Sequence, residues 1–138
     1  MNNNCKKGGT ISALFASFLN WLLPKPSFFI ISQNEYGGAD TFGCQLIKKP
    51  QDLPEGLLEW NLDEVFKDCY MVLLNLGLKS NGGYSIEIVE VERCGCTLNI
   101  YYTIKGPVKG QPVTMALTNP YCLAAIPKFN RINCIEKE

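Results

Sequence analysis

The sequence predicts a mainly β fold of the β-rich α+β class. We expect a small antiparallel sheet or sandwich of about six or seven strands, preceded by an N-terminal amphipathic helix. Residues 96–105 alternate apolar and polar side chains without interruption, which is the period of a strand. Several short apolar runs are separated by glycine and proline, whereas helical periodicity extends over one segment, residues 10–23. A chain of 138 residues suits one core, so we assign residues 1–26 to a leader and 27–138 to a single β-rich domain.

Composition narrows the classes of function. Lysine plus arginine and aspartate plus glutamate number 13 each and are scattered, so no basic surface for nucleic acid is indicated. The chain has no histidine, the commonest general base and metal ligand at neutral pH. An enzyme would have to use Cys69 or Cys122 as a nucleophile, or the paired acids Asp63 and Glu64. We therefore expect a protein that is not an enzyme and has no cofactor.

The seven cysteines do not form a recognisable disulfide or metal-binding pattern. Cys94 and Cys96 are separated by one residue, too few for a zinc knuckle, and no second pair or histidine completes a site. Cys44, Cys69 and Cys122 lie in apolar runs, where cysteine behaves as a small hydrophobic residue. We expect free thiols, which favour a cytoplasmic or membrane-associated location over secretion. The cysteines are Cys5, Cys44, Cys69, Cys94, Cys96, Cys122 and Cys134.

The predicted N-terminal helix has one apolar face and ends before Pro24 and Pro26. Three interpretations remain open: docking on a partner or on the chain's own domain, contact with a membrane interface through residues 10–23, or a signal-like leader. The segment is too short to span a membrane, and prolines stand where a signal cleavage motif would be. The apolar face comprises Ile11, Leu14, Phe15, Phe18, Trp21 and Leu22.

The remaining strands follow from short β-branched and apolar runs. Residues 69–76 are apolar almost throughout, which predicts a strand covered on both faces or central in a sheet. We expect it to form a hairpin with the strand that follows the glycine pair at 82–83. The other predicted elements are strands at 28–32, 44–49, 113–117 and 121–126, one short helical turn at 61–66, and a partly ordered tail.

Residues 81–92, NGGYSIEIVEVE, predict a turn followed by a strand with an irregularity. Gly82 and Gly83 suit a tight turn. The alternation then slips because Ile88 and Val89 are both apolar, and a bulge near position 88 would keep all apolar side chains on one face.

A hairpin is predicted between this strand and the alternating strand at 96–105. With Cys94 and Gly95 as its two loop residues, Val91 lies opposite Leu98. Val89 then lies opposite Ile100, so that apolar residues pair on one face.

Two stretches resemble the C-terminal domain of the protease complex subunit PrcB family. These are GGYSIEIVEVE at 82–92 and QPVTMALTNPYCLAAIPK at 111–128, and the likeness extends over roughly residues 69–128. In that family a Thr-Gly-Gly-Tyr-Ser motif opens one strand, and Val-Thr-Gln-x-Leu-Thr-x-Pro-Tyr precedes another. Asn81 stands where the family usually has threonine, and Met115 where it commonly has glutamine.

The resemblance implies a non-catalytic partner that binds and stabilises a protease subunit. A functional use of the two motifs would be that residues 81–84 and 118–121 lie at the same end of the sheet and form a loop surface for another protein. The same residues could instead serve the fold alone, as a turn, a strand edge and a corner. An alternative function is a peripheral membrane-associated structural protein anchored by the N-terminal helix. The candidate binding residues are Asn81, Gly82, Gly83, Tyr84, Pro120 and Tyr121.

Overall fold

The structure is a computed structural model that describes residues 25–57 and 62–138. This part of the chain forms seven strands in two sheets, so the predicted mainly β fold is confirmed. One short helix, α1, falls close to the predicted helical turn, and none of the helices described is long and apolar enough to cross a membrane. The predicted amphipathic helix lies outside the described residues. The elements are β1 (Phe29–Asn34), β2 (Gly43–Ile47), a 3-10 turn (Pro50–Asp52), α1 (Asp63–Asp68), β3 (Cys69–Asn75), β4 (Ser85–Cys94), β5 (Thr97–Lys105), β6 (Tyr121–Pro127) and β7 (Arg131–Glu136).

The strand order corrects one sequence-based expectation. The first sheet is antiparallel with the order β1-β6-β3-β2, and the second has the order β4-β5-β7. The predicted hairpin between β3 and β4 is therefore wrong, since the two strands belong to different sheets. Residues 76–84 are a crossover rather than a hairpin loop, and the apolar faces of β3 and β4 meet across the sandwich.

Strand β3 is buried on both faces, as its apolar sequence predicts. Val72 and Leu74 face the core between the sheets. Met71 and Leu73 face the opposite side, where Phe66 of α1 covers them. The core between the sheets consists of Val72, Leu74, Leu76, Ile86, Ile88, Val91, Leu98, Ile100, Tyr102, Cys122, Ala124 and Ile126.

Strand β4 contains the predicted bulge. Ile88 pairs with Tyr102 while Glu90 pairs with Tyr101, so Val89 is the extra residue. The bulge keeps Ile88 in the core on one side of it and Val91 on the other. Val89 itself is 40% exposed and has no partner across the pair, so the expectation that the bulge keeps every apolar side chain on one face is wrong for this residue.

The hairpin register differs from the predicted one. Val91 lies opposite Ile100, not Leu98, and Cys94 pairs with Thr97. The loop residues are therefore Gly95 and Cys96, with Gly95 at a φ of 63° that favours glycine. Apolar residues still pair with one another on the core face.

Two segments near the C-terminus also differ from expectation. Residues 113–117 are not a strand, because no neighbouring strand pairs with them, and the adjacent Thr118 makes one isolated bridge to Lys79. The tail forms the complete strand β7, which lies parallel to β5 and pairs Leu98 with Ile132. Tertiary pairing, which local periodicity does not encode, decides both outcomes.

A disulfide joins the outer strands of the two sheets. It links Cys44 of β2 to Cys134 of β7, with their Cα atoms 6.6 Å apart. The expectation of free thiols is therefore wrong for this pair and for Cys94, which is also disulfide-bonded, whereas Cys69, Cys96 and Cys122 are free. The two half-cystines are 90 positions apart in sequence, and the sandwich brings them together. Disulfides persist in oxidising compartments, so this pair does not support the argument for a reducing one.

Candidate protein-binding loop end

Three connections meet at one end of the sandwich. They are residues 35–42 between β1 and β2, residues 76–84 between β3 and β4, and residues 106–120 between β5 and β6. The antiparallel pairing of Asn34 with Tyr121 and of Gly43 with Asn75 places these connections together. We call these three connections the loop end. The β4–β5 turn and the β6–β7 connection lie at the opposite end.

Backbone hydrogen bonds join the second and third of these connections. Lys79 and Thr118 exchange a pair of N–H···O bonds of 2.7 and 2.9 Å. The N–H of Gly82 donates to the carbonyl of Thr114 at 2.8 Å, and the hydroxyl of Thr118 donates to the carbonyl of Asn81 at 3.0 Å. Residues 79–82 and 114–118 therefore run side by side, so the candidate residues at 81–84 and 118–121 lie together at one end.

The first connection is tied to the third mainly through Asn119. Its side-chain Oδ1 accepts from the N–H of Gly37 at 2.9 Å, and its Nδ2 donates to Asp40 at 3.2 Å. Its backbone carbonyl accepts from Gly38 at 3.0 Å, and its N–H donates to the carbonyl of Glu35 at 2.9 Å. One asparagine thus satisfies polar groups along much of the 35–42 connection.

Gly38 lies where the connections approach most closely. A Cβ at this position would come within 2.6 Å of the Asn119 carbonyl oxygen and 2.7 Å of Asn75 Oδ1. Asn75 Oδ1 also accepts from the N–H of Ala39 at 2.9 Å, which ties the connection to the end of β3. The absence of a side chain at Gly38 therefore permits this arrangement.

The candidate residues from the C-terminal motif are largely internal. Pro120 and Tyr121 are buried. The Tyr121 hydroxyl and Ser32 Oγ are 2.5 Å apart and share a hydrogen bond. The ring of Tyr121 packs in the cluster under α1. Tyr121 is therefore a structural corner residue whose ring is not available to a partner in this conformation.

The candidate residues from the glycine motif are more accessible. Gly83 is exposed with a φ of 94°, and Pro107 lies 3.0 Å from where a Cβ would be. Tyr84 is half-buried, and the Lys79 ammonium lies 5.3 Å from its ring centroid. Gly82 is buried. Asn81 Oδ1 is also buried and accepts no hydrogen bond within the described part of the chain. A binding role for these residues stays a prediction.

The exposed apolar side chains of the loop end were missed by sequence reasoning. Met115 is 83% exposed and Leu117 is 63% exposed. Reading residues 113–117 as a strand implied that part of this segment would be buried. Apolar residues inside a glycine- and proline-rich connection are the signal that could have identified them. The exposed large side chains of the loop end are Tyr36, Phe42, Leu78, Val108, Met115 and Leu117.

The candidate nucleophiles lie elsewhere. Cys122 is buried in the core, where desolvation raises the pKa of its thiol to about 11. Cys69 is half-buried at the junction of α1 and β3. Glu64, in the first turn of α1, is bonded to Lys67 at 2.9 Å. Within residues 25–57 and 62–138, no three acidic or cysteine side chains are grouped so that they could hold a metal ion.

Comparison with known proteins gives one match. The family model described as PrcB C-terminal matches residues 70–127, which extend from β3 to β6. The match contains two of the three connections of the loop end, and it excludes residues 35–42 and both cysteines of the Cys44–Cys134 disulfide. No curated protein and no solved structure shows significant similarity to the chain. Residues 70–127 are thus similar to the PrcB C-terminal domain, as the motifs at 82–92 and 111–128 indicated.

Proposed function

We propose that this protein is a non-catalytic binding module, an accessory or stabilising partner in a protein complex, and that the loop end is its contact surface. One observation carries the proposal. Of the eight large hydrophobic side chains exposed in the described part of the chain, six lie on the loop end. Such concentration marks interaction surfaces, whereas single exposed apolar residues need no explanation.

The chemistry of these side chains suits a protein partner. Tyr36, Phe42 and Met115 are of the types enriched at protein interfaces, where large aromatic and flexible thioether side chains fill pockets of the partner. Lysine and acidic residues are depleted at interface centres, and no charged residue lies among positions 111–121.

The bracing of the connections favours tight binding. Hydrogen bonds join residues 35–42, 76–84 and 106–120 to one another, so much of their conformational entropy is already lost before a partner binds. A preorganised loop surface on a rigid β-scaffold is a common design for recognition.

The class of partner is inferred from the family. A PrcB C-terminal-like domain supports a protease complex as the assembly in which this protein acts. The non-catalytic part of the proposal is supported by the buried, high-pKa thiol of Cys122, which is a poor nucleophile at neutral pH. The alternative of a membrane-anchored structural protein depends on residues 10–23, which lie outside the described part of the chain.

The proposal is tested by purifying the tagged full-length protein from its native cells and identifying stoichiometric companions by mass spectrometry. We expect a protease subunit to co-purify, and the double variant Met115→Ser, Leu117→Ser to lose it. Phe29→Ser is the matched control, because Phe29 is 56% exposed at the opposite end of β1. Thermal unfolding of all variants separates lost binding from lost folding. A companion retained by the double variant would contradict the proposed surface.

A further inference from the structure

A cluster of basic side chains lies at the end of the sandwich opposite the loop end. Lys48 follows β2, Lys128 follows β6, and Arg131 begins β7. Lys128 and Arg131 line a pocket of about 490 Å³, a volume in the range of small-molecule sites. The pocket is lined by Cys96, Lys128, Phe129, Asn130 and Arg131.

Two of these cations share one aromatic ring. The ammonium of Lys48 lies 5.7 Å from the Tyr70 ring centroid, and that of Lys128 lies 5.5 Å from it. Lys48 also donates to Asn130 Oδ1 at 3.2 Å, which joins it to the β6–β7 connection that contains Lys128. The ring attracts each cation, whereas the two like charges repel one another.

No acid of the described residues forms an ion pair with these cations, although the pairing of Cys69 with Pro127 places Asp68 close to Lys128. Lys48, Lys128 and Arg131 make no ion pair in that part of the chain, where the pairs are Lys25–Glu90, Lys67–Glu64 and Lys137–Glu90. Glu92, an acid of the adjacent strand β4, accepts instead from the Tyr101 hydroxyl at 2.9 Å. Two cations without an ion pair, Lys128 and Arg131, thus line one pocket of a protein that has equal numbers of acidic and basic residues.

The pocket also offers an apolar surface. Phe129 is half-buried in its wall, and the guanidinium of Arg93 lies 5.7 Å from that ring. A bare inorganic anion would leave most of this volume empty and make no use of the aromatic ring. A carboxylate attached to an apolar group would use both the cations and the ring.

We propose that this pocket binds a ligand carrying a carboxylate beside an apolar group, held by Lys128 and Arg131 with the apolar part against Phe129. The free carboxylate of a peptide C-terminus and a small organic carboxylate share this chemistry. The site is separate from the loop end, and it does not depend on the function proposed for that surface.

The test is a titration of the ¹⁵N-labelled full-length protein followed by NMR. N-acetylphenylalanine is the probe, and its uncharged analogue N-acetylphenylalaninamide is the matched control. With N-acetylphenylalanine we expect saturable chemical-shift changes of the backbone amide resonances of Cys96 and residues 129–131. At equal concentration N-acetylphenylalaninamide should cause none. Equal shifts with both compounds, or with inorganic phosphate in place of the acid, would overturn the proposal.

Variants test the residues named. The double variant Lys128→Gln, Arg131→Gln should weaken the affinity for N-acetylphenylalanine by about tenfold, because two charge-assisted contacts are lost. Lys109→Gln, which removes one positive charge from the loop end, should leave this affinity unchanged. Equal weakening by Lys109→Gln would mean that only overall charge matters, and the site would be rejected.

A third experiment distinguishes a protein C-terminus from a small organic carboxylate as the ligand. A short peptide ending in phenylalanine with a free carboxylate is compared with N-acetylphenylalanine. Tighter binding of the peptide supports recognition of a protein C-terminus, whereas equal binding supports a small carboxylate. Failure of both compounds to shift the pocket resonances would contradict the site.

Discussion

The carboxylate of Glu35 accepts a hydrogen bond of 2.9 Å from the backbone N–H of Gly83. The two residues are 48 positions apart, in the first and second connections of the loop end. Gly83 has a φ of 94°, which favours glycine, and a Cβ at this position would come within 3.0 Å of Pro107. The hydrogen bond from Gly83 to Glu35 ties residues 35–42, which lie outside the PrcB C-terminal match, to the glycine motif within it.

Substitution of Glu35 tests the contribution of this hydrogen bond to stability. Glu35→Ala should lower the free energy of unfolding by about 1 kcal/mol, because an exposed hydrogen bond of this kind has a modest net value. Glu35→Gln keeps an acceptor oxygen, so its free energy of unfolding should fall by less than that of Glu35→Ala. Urea denaturation measures both, and a larger loss for the glutamine variant would contradict the role of Glu35 as an acceptor.

Gly38→Ala should be more damaging. The added Cβ would meet the Asn119 carbonyl and Asn75 Oδ1, and a backbone oxygen cannot move aside cheaply. We expect a loss of about 2 to 3 kcal/mol in the free energy of unfolding. Gly43→Ala is the matched control, since a Cβ added there would have no neighbouring atom within 4 Å. Equal stability of the two alanine variants would show that the connections are looser than described.

The sequence predicted those elements whose pattern is local. The alternation in β5 and the apolar run of β3 both correspond to strands, and the slip between Ile88 and Val89 is a bulge. Local periodicity reports which side chains share a face, and a bulge is visible because it breaks that period.

What the sequence did not predict depends on distant partners. The parallel pairing of β7 with β5, the assignment of β3 and β4 to different sheets, and the Cys44–Cys134 disulfide each join segments far apart in sequence. The loop end was predicted only in part. The motifs indicated residues 81–84 and 118–121, but the contributions of Glu35 and Asn119 come from tertiary hydrogen bonds.

Removal of the disulfide should destabilise the sandwich. The free energy of unfolding of the double variant Cys44→Ser, Cys134→Ser should fall by about 2 to 4 kcal/mol, because the disulfide restricts a long loop in the unfolded chain. Cys96→Ser, at an exposed free thiol, should change stability little. Chemical denaturation measures these values. Alkylation of Cys44 and Cys134 in the folded, unreduced protein would contradict the pairing.

The buried thiol of Cys122 should make stability fall at alkaline pH. Its pKa is raised from 9.0 to about 11 by burial, so the unfolded chain ionises first as pH rises. The stability contributed by the neutral thiol is complete below pH 9 and is lost progressively above it. The loss is complete above pH 11, at about 2 to 3 kcal/mol.

Two measurements check this prediction. Unfolding free energies between pH 8 and 11 should fall less steeply for Cys122→Ala than for the unsubstituted protein. Alkylation at neutral pH should modify the exposed Cys96 well before Cys122. Equal alkylation rates for the two thiols in the folded protein would contradict the burial of Cys122.

Site-directed photo-crosslinking in native cells tests most directly whether the loop end contacts another protein. A photoreactive phenylalanine analogue is placed at Met115 in one variant and at Phe29 in another, since both positions are highly exposed but lie at opposite ends. We expect position 115, and not position 29, to cross-link to one defined protein, a protease subunit. Cross-links from position 29 alone, or equally from both positions, would contradict the claim.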